Sequence, residues 1–256
     1  MLTIQAVPAF NDNYIWFIQA PNSKNLLIVD PGDARPVIEA IEQQQLNPLA
    51  LLITHHHSDH IAGIHDLVNY YDIPVYGPKS EAIPDLTYPL TACDDLIINA
   101  AFPTITVLDV PGHTSGHIAF LIDGSLFCGD TLFGAGCGRL LGGTAKQLHA
   151  SLQLIANLPQ QTKIFCAHEY TQANLRFAAV VEPNNTKIRQ RILDTDALLM
   201  NDGSSLPSSL ALELQTNPFL RSRQPDVIQA AEQFAGQQLH DPEAVFTALR
   251  SWKDQF

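Results

Sequence analysis

Short apolar or alternating runs bounded by turn residues punctuate the first two-thirds of the chain, at 2–7, 14–19, 25–29, 50–53, 74–76, 104–109, 117–122, 125–128 and 163–167. Runs of this length and spacing predict β-strands. Between them, apolar positions recur at helical spacing over 34–45, 58–70 and 144–156, as with Val37, Ile38 and Ile41 in the first. Hairpins mixed with crossover helices predict a layered α/β architecture, not an all-β sandwich. Beyond about residue 170 the pattern changes. Segments 174–181, 187–200, 208–215, 225–234 and 242–252 read as helices, separated by Pro, Gly and Asn breaks. The expected organisation is a strand-rich part over residues 1–169 followed by a helical domain over 170–256.

Composition narrows the class. With 256 residues, 46% of them hydrophobic and only 16% charged, the chain can bury a large core and is not disordered. No apolar stretch approaches the ~20 residues of a membrane helix, so no membrane partner is expected. Fourteen Lys and Arg against 26 Asp and Glu give a net charge of −12. That balance, without any basic run, argues against a nucleic-acid partner bound through its phosphates. The basic residues are unevenly placed: 6 lie in residues 1–168 and 8 in the shorter stretch 169–256. No basic segment followed by an apolar block opens the chain, and the four cysteines (Cys93, Cys128, Cys137, Cys166) form no C-x-x-C pair. A cytoplasmic protein with reduced thiols is the expectation, and a monomer.

Five of the ten histidines fall between residues 55 and 65. The segment Leu51-Leu-Ile-Thr-His55-His-His57-Ser-Asp59-His60 is an apolar strand running into a turn and then a helix. Residues two apart in an extended segment share a side, so His55 and His57 can grip one ion while His56 points elsewhere. Asp59 and His60, at the start of the helix, suit a neighbouring second position. Imidazole nitrogen and carboxylate oxygen are ligands for zinc, iron or manganese, whereas calcium takes oxygen alone. One turn cannot complete two coordination spheres. Three later strand ends offer more: His113 in Pro-Gly-His-Thr, Asp130 in Cys-Gly-Asp-Thr, and His168 in Ala-His-Glu-Tyr. A carboxylate can bridge two ions, which makes Asp130 the natural shared ligand, and Gly129 lets the backbone approach closely.

The succession T-H-x-H-x-D-H, P-G-H-T, C-G-D-T and A-H-E-Y resembles the metallo-β-lactamase superfamily. The helical tail and the phrases Asp12-Asn-Tyr14, Val-Asp30-Pro-Gly-Asp33, Gly136-Cys-Gly-Arg139 and Asn217-Pro-Phe are similar to its glyoxalase II (hydroxyacylglutathione hydrolase) branch. The resemblance implies a four-layer αββα sandwich with a C-terminal α-helical domain. The catalytic domain would be 1–169 and the substrate-binding domain 170–256. It implies two divalent metal ions per chain, zinc foremost with iron or manganese as alternatives. His55, His57 and His113 would hold the first; Asp59, His60 and His168 the second, with Asp130 bridging. Asp59 would also orient the water that attacks the substrate. The substrate implied is a small-molecule glutathione thioester, S-D-lactoylglutathione, held by Arg139, Tyr170, Arg250 and Lys253. Arg250 and Lys253 are three apart and so share a helix face. Two departures stand on one side of that substrate: Leu141 where some members carry Tyr, and Gly142 where an acidic residue is common.

Other residues take ordinary readings. His65, His149 and His240 suit helix surfaces or partial burial, and His56 should face away from any ion. His117 suits either a strand start or a group that orients a ligand, and Asp30 either a turn or an anchor. Cys128, Cys137 and Cys166 read as small core residues. The alternatives to the thioesterase are another hydrolase or a persulfide dioxygenase on the same scaffold, or a non-catalytic metal-binding module. A β-lactam hydrolase fits less well, because Asp130 stands where those enzymes carry a softer ligand.

Overall fold

The computed structural model describes residues 1–92, 94–201 and 203–256, so Cys93 lies outside the described residues. The chain forms two compact units, one of residues 1–109 with 116–129 and the other of residues 110–115 with 130–256.

The first unit runs β1 (Thr3–Ala9), β2 (Asn13–Gln19), β3 (Asn25–Val29), α1 (Ala34–Gln44), β4 (Asn47–Leu52), α2 (Ser58–Ile61), α3 (Ile64–Tyr71), β5 (Val75–Pro78) and β6 (Tyr88–Leu90). It continues with β7 (Asp95–Leu96), β8 (Ile105–Asp109), β9 (Ile118–Ile122) and β10 (Ser125–Gly129). Strands β1 to β6 form one sheet in sequence order. β1, β2 and β3 pair antiparallel through short turns. β3, β4, β5 and β6 pair parallel, which requires crossovers; α1 supplies the first, α2 and α3 the second, and a loop over 79–87 the third. One face of this sheet packs Ile15, Phe17, Ile28, Leu51 and Val75 against Val37 and Ile41 of α1 and Ile64 and Leu67 of α3. The alternate residues Trp16, Ile18, Leu27, Val29 and Leu52 are also buried, so both faces are covered. That explains why β3 and β4 read as continuous apolar runs and not as alternating ones. Strands β7 to β10 pair antiparallel in succession.

The helix expected over 58–70 is broken in two at Gly63. A side chain there would press on Pro31 O and Ala34 N, 2.5 and 2.6 Å from a Cβ. Gly63 N–H donates instead to Pro31 O at 3.0 Å, leaving the helical path to meet the turn after β3. The short strands β6 and β7 carry no hydropathic signature of their own; pairing with a neighbour makes them strands.

The second unit holds β11 (Leu132–Phe133), β12 (Gly136–Cys137), α4 (Ala145–Ala156), β13 (Lys163–Cys166), α5 (Thr171–Val181), α6 (Thr186–Asn201) and β14 (Ser208–Ser209). It ends with α7 (Leu210–Thr216), a 3-10 turn at Pro218–Leu220, α8 (Pro225–Ala235) and α9 (Pro242–Gln255). The helices start where caps allow. Thr144 and Gln147 close a capping box on α4, Ser209 caps α7 and Asp241 caps α9 with Pro242 in its first turn. Gly236, at φ +67°, terminates α8 in the left-handed conformation. Phe177, Phe219 and Phe246 are fully buried and join Trp252 in a chain of ring contacts at 5.3 to 6.0 Å. Among the described residues, no helix is long and apolar enough to cross a membrane.

Candidate metal centre

In the first unit the parallel strands β3 and β4 end at the same edge, where their carboxyl-terminal loops meet. Asp30 follows β3 with φ +50° and is buried. Its carboxylate accepts from Thr54 N–H at 2.8 Å and Thr54 Oγ at 2.7 Å, and contacts His60 Nδ1 at 3.0 Å. A carboxylate can only accept, so Nδ1 of a neutral His60 carries the proton and the lone pair lies on Nε2, which sits 3.5 Å from Asp59 Oδ2. His55 Nδ1 contacts Thr54 Oγ at 3.1 Å, and its Nε2 faces His57 Nδ1 at 3.1 Å. The two histidines two positions apart thus share a side. Asp59, with 38% of its side chain exposed, accepts from Asn13 Nδ2 at 3.0 Å. His117 is buried just before β9 and stacks on the His55 ring at 4.5 Å. Gly129 ends β10 at φ +47°, with no room for a side chain beside Thr54 and His117.

In the second unit the pattern repeats. His113 Nδ1 donates to Arg139 O at 2.8 Å. A carbonyl settles the tautomer, so Nε2 presents its lone pair 3.4 Å from Asp130 Oδ2. His168 Nε2 lies 3.4 Å from Asp130 Oδ1. Asp130 therefore offers one oxygen to each of two histidines. Tyr170 stacks on His168 with rings 4.7 Å apart and 6° from parallel, and Phe133 meets both edge-on.

Each half brings its nitrogen and oxygen donors to 3.1–3.5 Å of one another while a far ring nitrogen of His55, His60 and His113 is fixed by an acceptor. Fixed far nitrogens and converging near ones suit a divalent transition ion. The donor set fits the metals that the sequence implied.

Of the remaining histidines, His240 is exposed between α8 and α9 and not in a helix as expected, while the others follow the expectation. His56 turns to Glu81, which accepts from its backbone N–H and contacts Nδ1, both at 2.7 Å. His65 is exposed beside Asp85. His149 is partly buried against Phe246 and Ser222. Cys128, Cys137 and Cys166 are buried thiols with no disulfide. Burial pushes Cys137 up to about 11, against the lowering influence of Arg250, so it is no thiolate nucleophile at neutral pH.

The four residues assigned to substrate all lie in the second unit, in unlike environments. Arg139 is exposed and Tyr170 half-buried. Arg250 is buried: Nη1 donates to Cys137 O at 2.9 Å and Nη2 to Asp254 at 3.0 Å, while Nε is buried without a hydrogen bond. Lys253 Nζ lies over the rings of Phe177 and Phe256, 5.4 and 5.3 Å from their centres. Burial holds its pKa below the usual lysine value, and the charges of Arg250, Arg176 and Arg139 lower it further. These cations form one basic cluster, of which Arg176 carried no sequence signal. Asn13 and Glu81 were likewise invisible as supports, because their partners lie 46 and 25 residues away.

Comparison with known proteins agrees with this picture. The family model described as "Metallo-beta-lactamase superfamily" matches residues 10–90 and 101–168, and "Hydroxyacylglutathione hydrolase C-terminus" matches residues 169–256. A hydroxyacylglutathione hydrolase of Nitrosomonas eutropha is 50% identical over 256 residues, covering all of both chains. The crystal structure of ETHE1 from Myxococcus xanthus superimposes with a TM-score of 0.67 at 20% identity, covering 99% of this chain and 98% of that one. The crystal structure of TTHA1623 in a di-iron-bound form gives 0.60 at 25% identity, covering 85% and 100%. The fold is thus the α/β fold of that superfamily with a C-terminal helical region, and the superfamily together with the His/Asp cluster implies divalent metal binding. With a relative half identical from end to end and family models spanning nearly the whole chain, the protein belongs to the hydroxyacylglutathione hydrolase family of the metallo-β-lactamase superfamily.

Proposed function

We propose that the protein hydrolyses S-D-lactoylglutathione, and S-2-hydroxyacylglutathiones generally, to glutathione and the hydroxy acid, as a cytoplasmic monomer in methylglyoxal detoxification. The observation that carries this reading is end-to-end identity of about half with relatives named for that activity. In the proposed assignment, His55, His57 and His113 hold one ion, and Asp59, His60 and His168 the other, with Asp130 between them. Residues 1–169 then carry catalysis and residues 170–256, joined by Arg139, substrate binding.

Two divalent ions, when bound, supply Lewis-acid activation of water and of the thioester carbonyl, with zinc the first choice. The protein supplies the rest. Asp59, steadied by Asn13, orients the attacking water. Asp30 and Arg139 O keep His60 and His113 in the tautomers that present Nε2. Water adds its oxygen to the acyl carbon, the carbon–sulfur bond breaks, and the departing thiolate takes up a proton. A thiol of reference pKa about 8.5 departs without a strong general acid, so no separate acid is required. Arg139, Arg250 and Lys253 offer charge to the glutathione carboxylates, and Tyr170 its hydroxyl; the crowding of like charges around Lys253 supports an anionic ligand there. The test is S-D-lactoylglutathione hydrolysis by purified protein, with metal analysis of the same sample. Turnover by protein holding about two ions supports the reading; turnover of other esters or lactones but not this thioester overturns it.

A further inference from the structure

The hairpin of β11 and β12 carries Phe133 against Tyr170 and His168, and leads directly into Arg139, whose carbonyl fixes His113. Its tip is irregular, with Ala135 at φ +53°, so it needs outside support. Part of that support comes from Glu213 within α7 and Asn217 at its C-cap, about 80 positions on, and part from Asn174, whose Nδ2 donates to Gly134 O at 3.1 Å. Asn217 is fully buried, and its Nδ2 donates to Gly136 O at 2.9 Å and Phe133 O at 3.3 Å. Glu213, also fully buried, accepts from Ala135 N–H at 2.8 Å and from Asn217 Nδ2 at 3.1 Å. Arg191 and Ser208 donate to the other Glu213 oxygen, compensating its buried charge from the side away from the hairpin. We infer that Asn217 and Glu213 are positioning residues for the substrate side of the site, setting the hairpin that places Phe133, Tyr170 and Arg139. The inference rests on Arg139 and Tyr170 binding the thioester, and it gives the Asn217-Pro-Phe phrase a role.

Asn217→Ser keeps an oxygen to cap the turn at Pro218–Leu220 and replaces the amide that reaches the two hairpin carbonyls with a shorter hydroxyl. A buried hydrogen bond lost in this way corresponds to KM for the thioester rising about tenfold, with kcat changed less than about threefold. Exchange of the Ala135 amide should accelerate in the same variant. Ser208→Ala, on the far side of Glu213, should lower Tm without moving KM. If Asn217→Ser lowers Tm alone, with KM and Ala135 exchange as in the parent, the two residues are merely structural and the inference fails. Should Asn217→Ser not fold, Glu213→Gln answers the same question by the same readings. Failure of the parent protein to hydrolyse the thioester would overturn the proposed function instead; Ala135 exchange needs no substrate and still reads whether the clamp exists.

Discussion

The histidine centre and the basic cluster are built on opposite electrostatic principles. Around the histidines, polar groups are compensated: Asp30 faces His60, Asp130 faces His113 and His168, and Asn13 supports Asp59. Each contact restricts a ring to one orientation, so the donors would be set before any ion arrived. In the basic cluster, Arg139, Arg176, Arg250 and Lys253 crowd one another, and burial adds to the cost of charging Lys253. Asp254 both touches Arg250 and raises the Lys253 pKa. A preorganised centre gains from rigidity. If this cluster binds glutathione carboxylates, as proposed, it holds crowded positive charge that the ligand would relieve, at some cost to the empty protein.

The contrast can be broken most forcefully at the residues proposed to hold the ions. His57→Ala and Asp130→Ala should each lose bound metal and lower kcat/KM by at least about a thousandfold, read by metal analysis and thioester hydrolysis together. Full turnover in a verified metal-free variant would end the hydrolytic mechanism. One step out, Asp30→Asn keeps the shape but can turn a donor toward His60 Nδ1. Metal affinity should fall about 10- to 100-fold, measured by competition with a chelator. At the basic cluster, Lys253→Met removes one of the crowded cations. KM should rise about tenfold while kcat is little changed, and Tm should not fall. A drop in Tm with unchanged KM would make Lys253 an ordinary helix-end cation. The smallest effect is expected at His149, whose pKa is lowered chiefly by burial. The unfolded chain then binds the proton more tightly, so stability is lost as pH falls from the unfolded value near 6.5 through the lower folded one. His149→Gln should flatten that acid limb in Tm measurements and leave the rest of the profile alone.

Much of this was legible before folding. The strands over 25–29 and 50–53 could be read because both are buried on two faces and flanked by turn residues. His55, His57, Asp59 and His60 stood out because five ligand-type residues within six positions are rarely accidental. The break at Gly63 was not legible, since a glycine inside an apolar helical pattern looks tolerable until Pro31 occupies the same space. Nor were the short strands at Leu132–Phe133 and Ser208–Ser209, which exist through pairing and not through their own residues. The role of Arg250 was read only in part: its position on a helix face is a matter of spacing, whereas its bond to Cys137 O depends on a residue 113 positions earlier.

The sequence by itself determined the α/β pattern, the helical tail and the chemical identity of the donors, because periodicity and residue type are local properties. Only the tertiary structure decided how those donors are held. Asp30 reaches His60 because parallel strands end at one edge, Arg139 fixes His113 through its main chain and not its charge, and Asn217 grips a hairpin 81 residues before it. Such contacts join positions far apart in the chain, and no local pattern of residues encodes which distant partner a buried polar group will find.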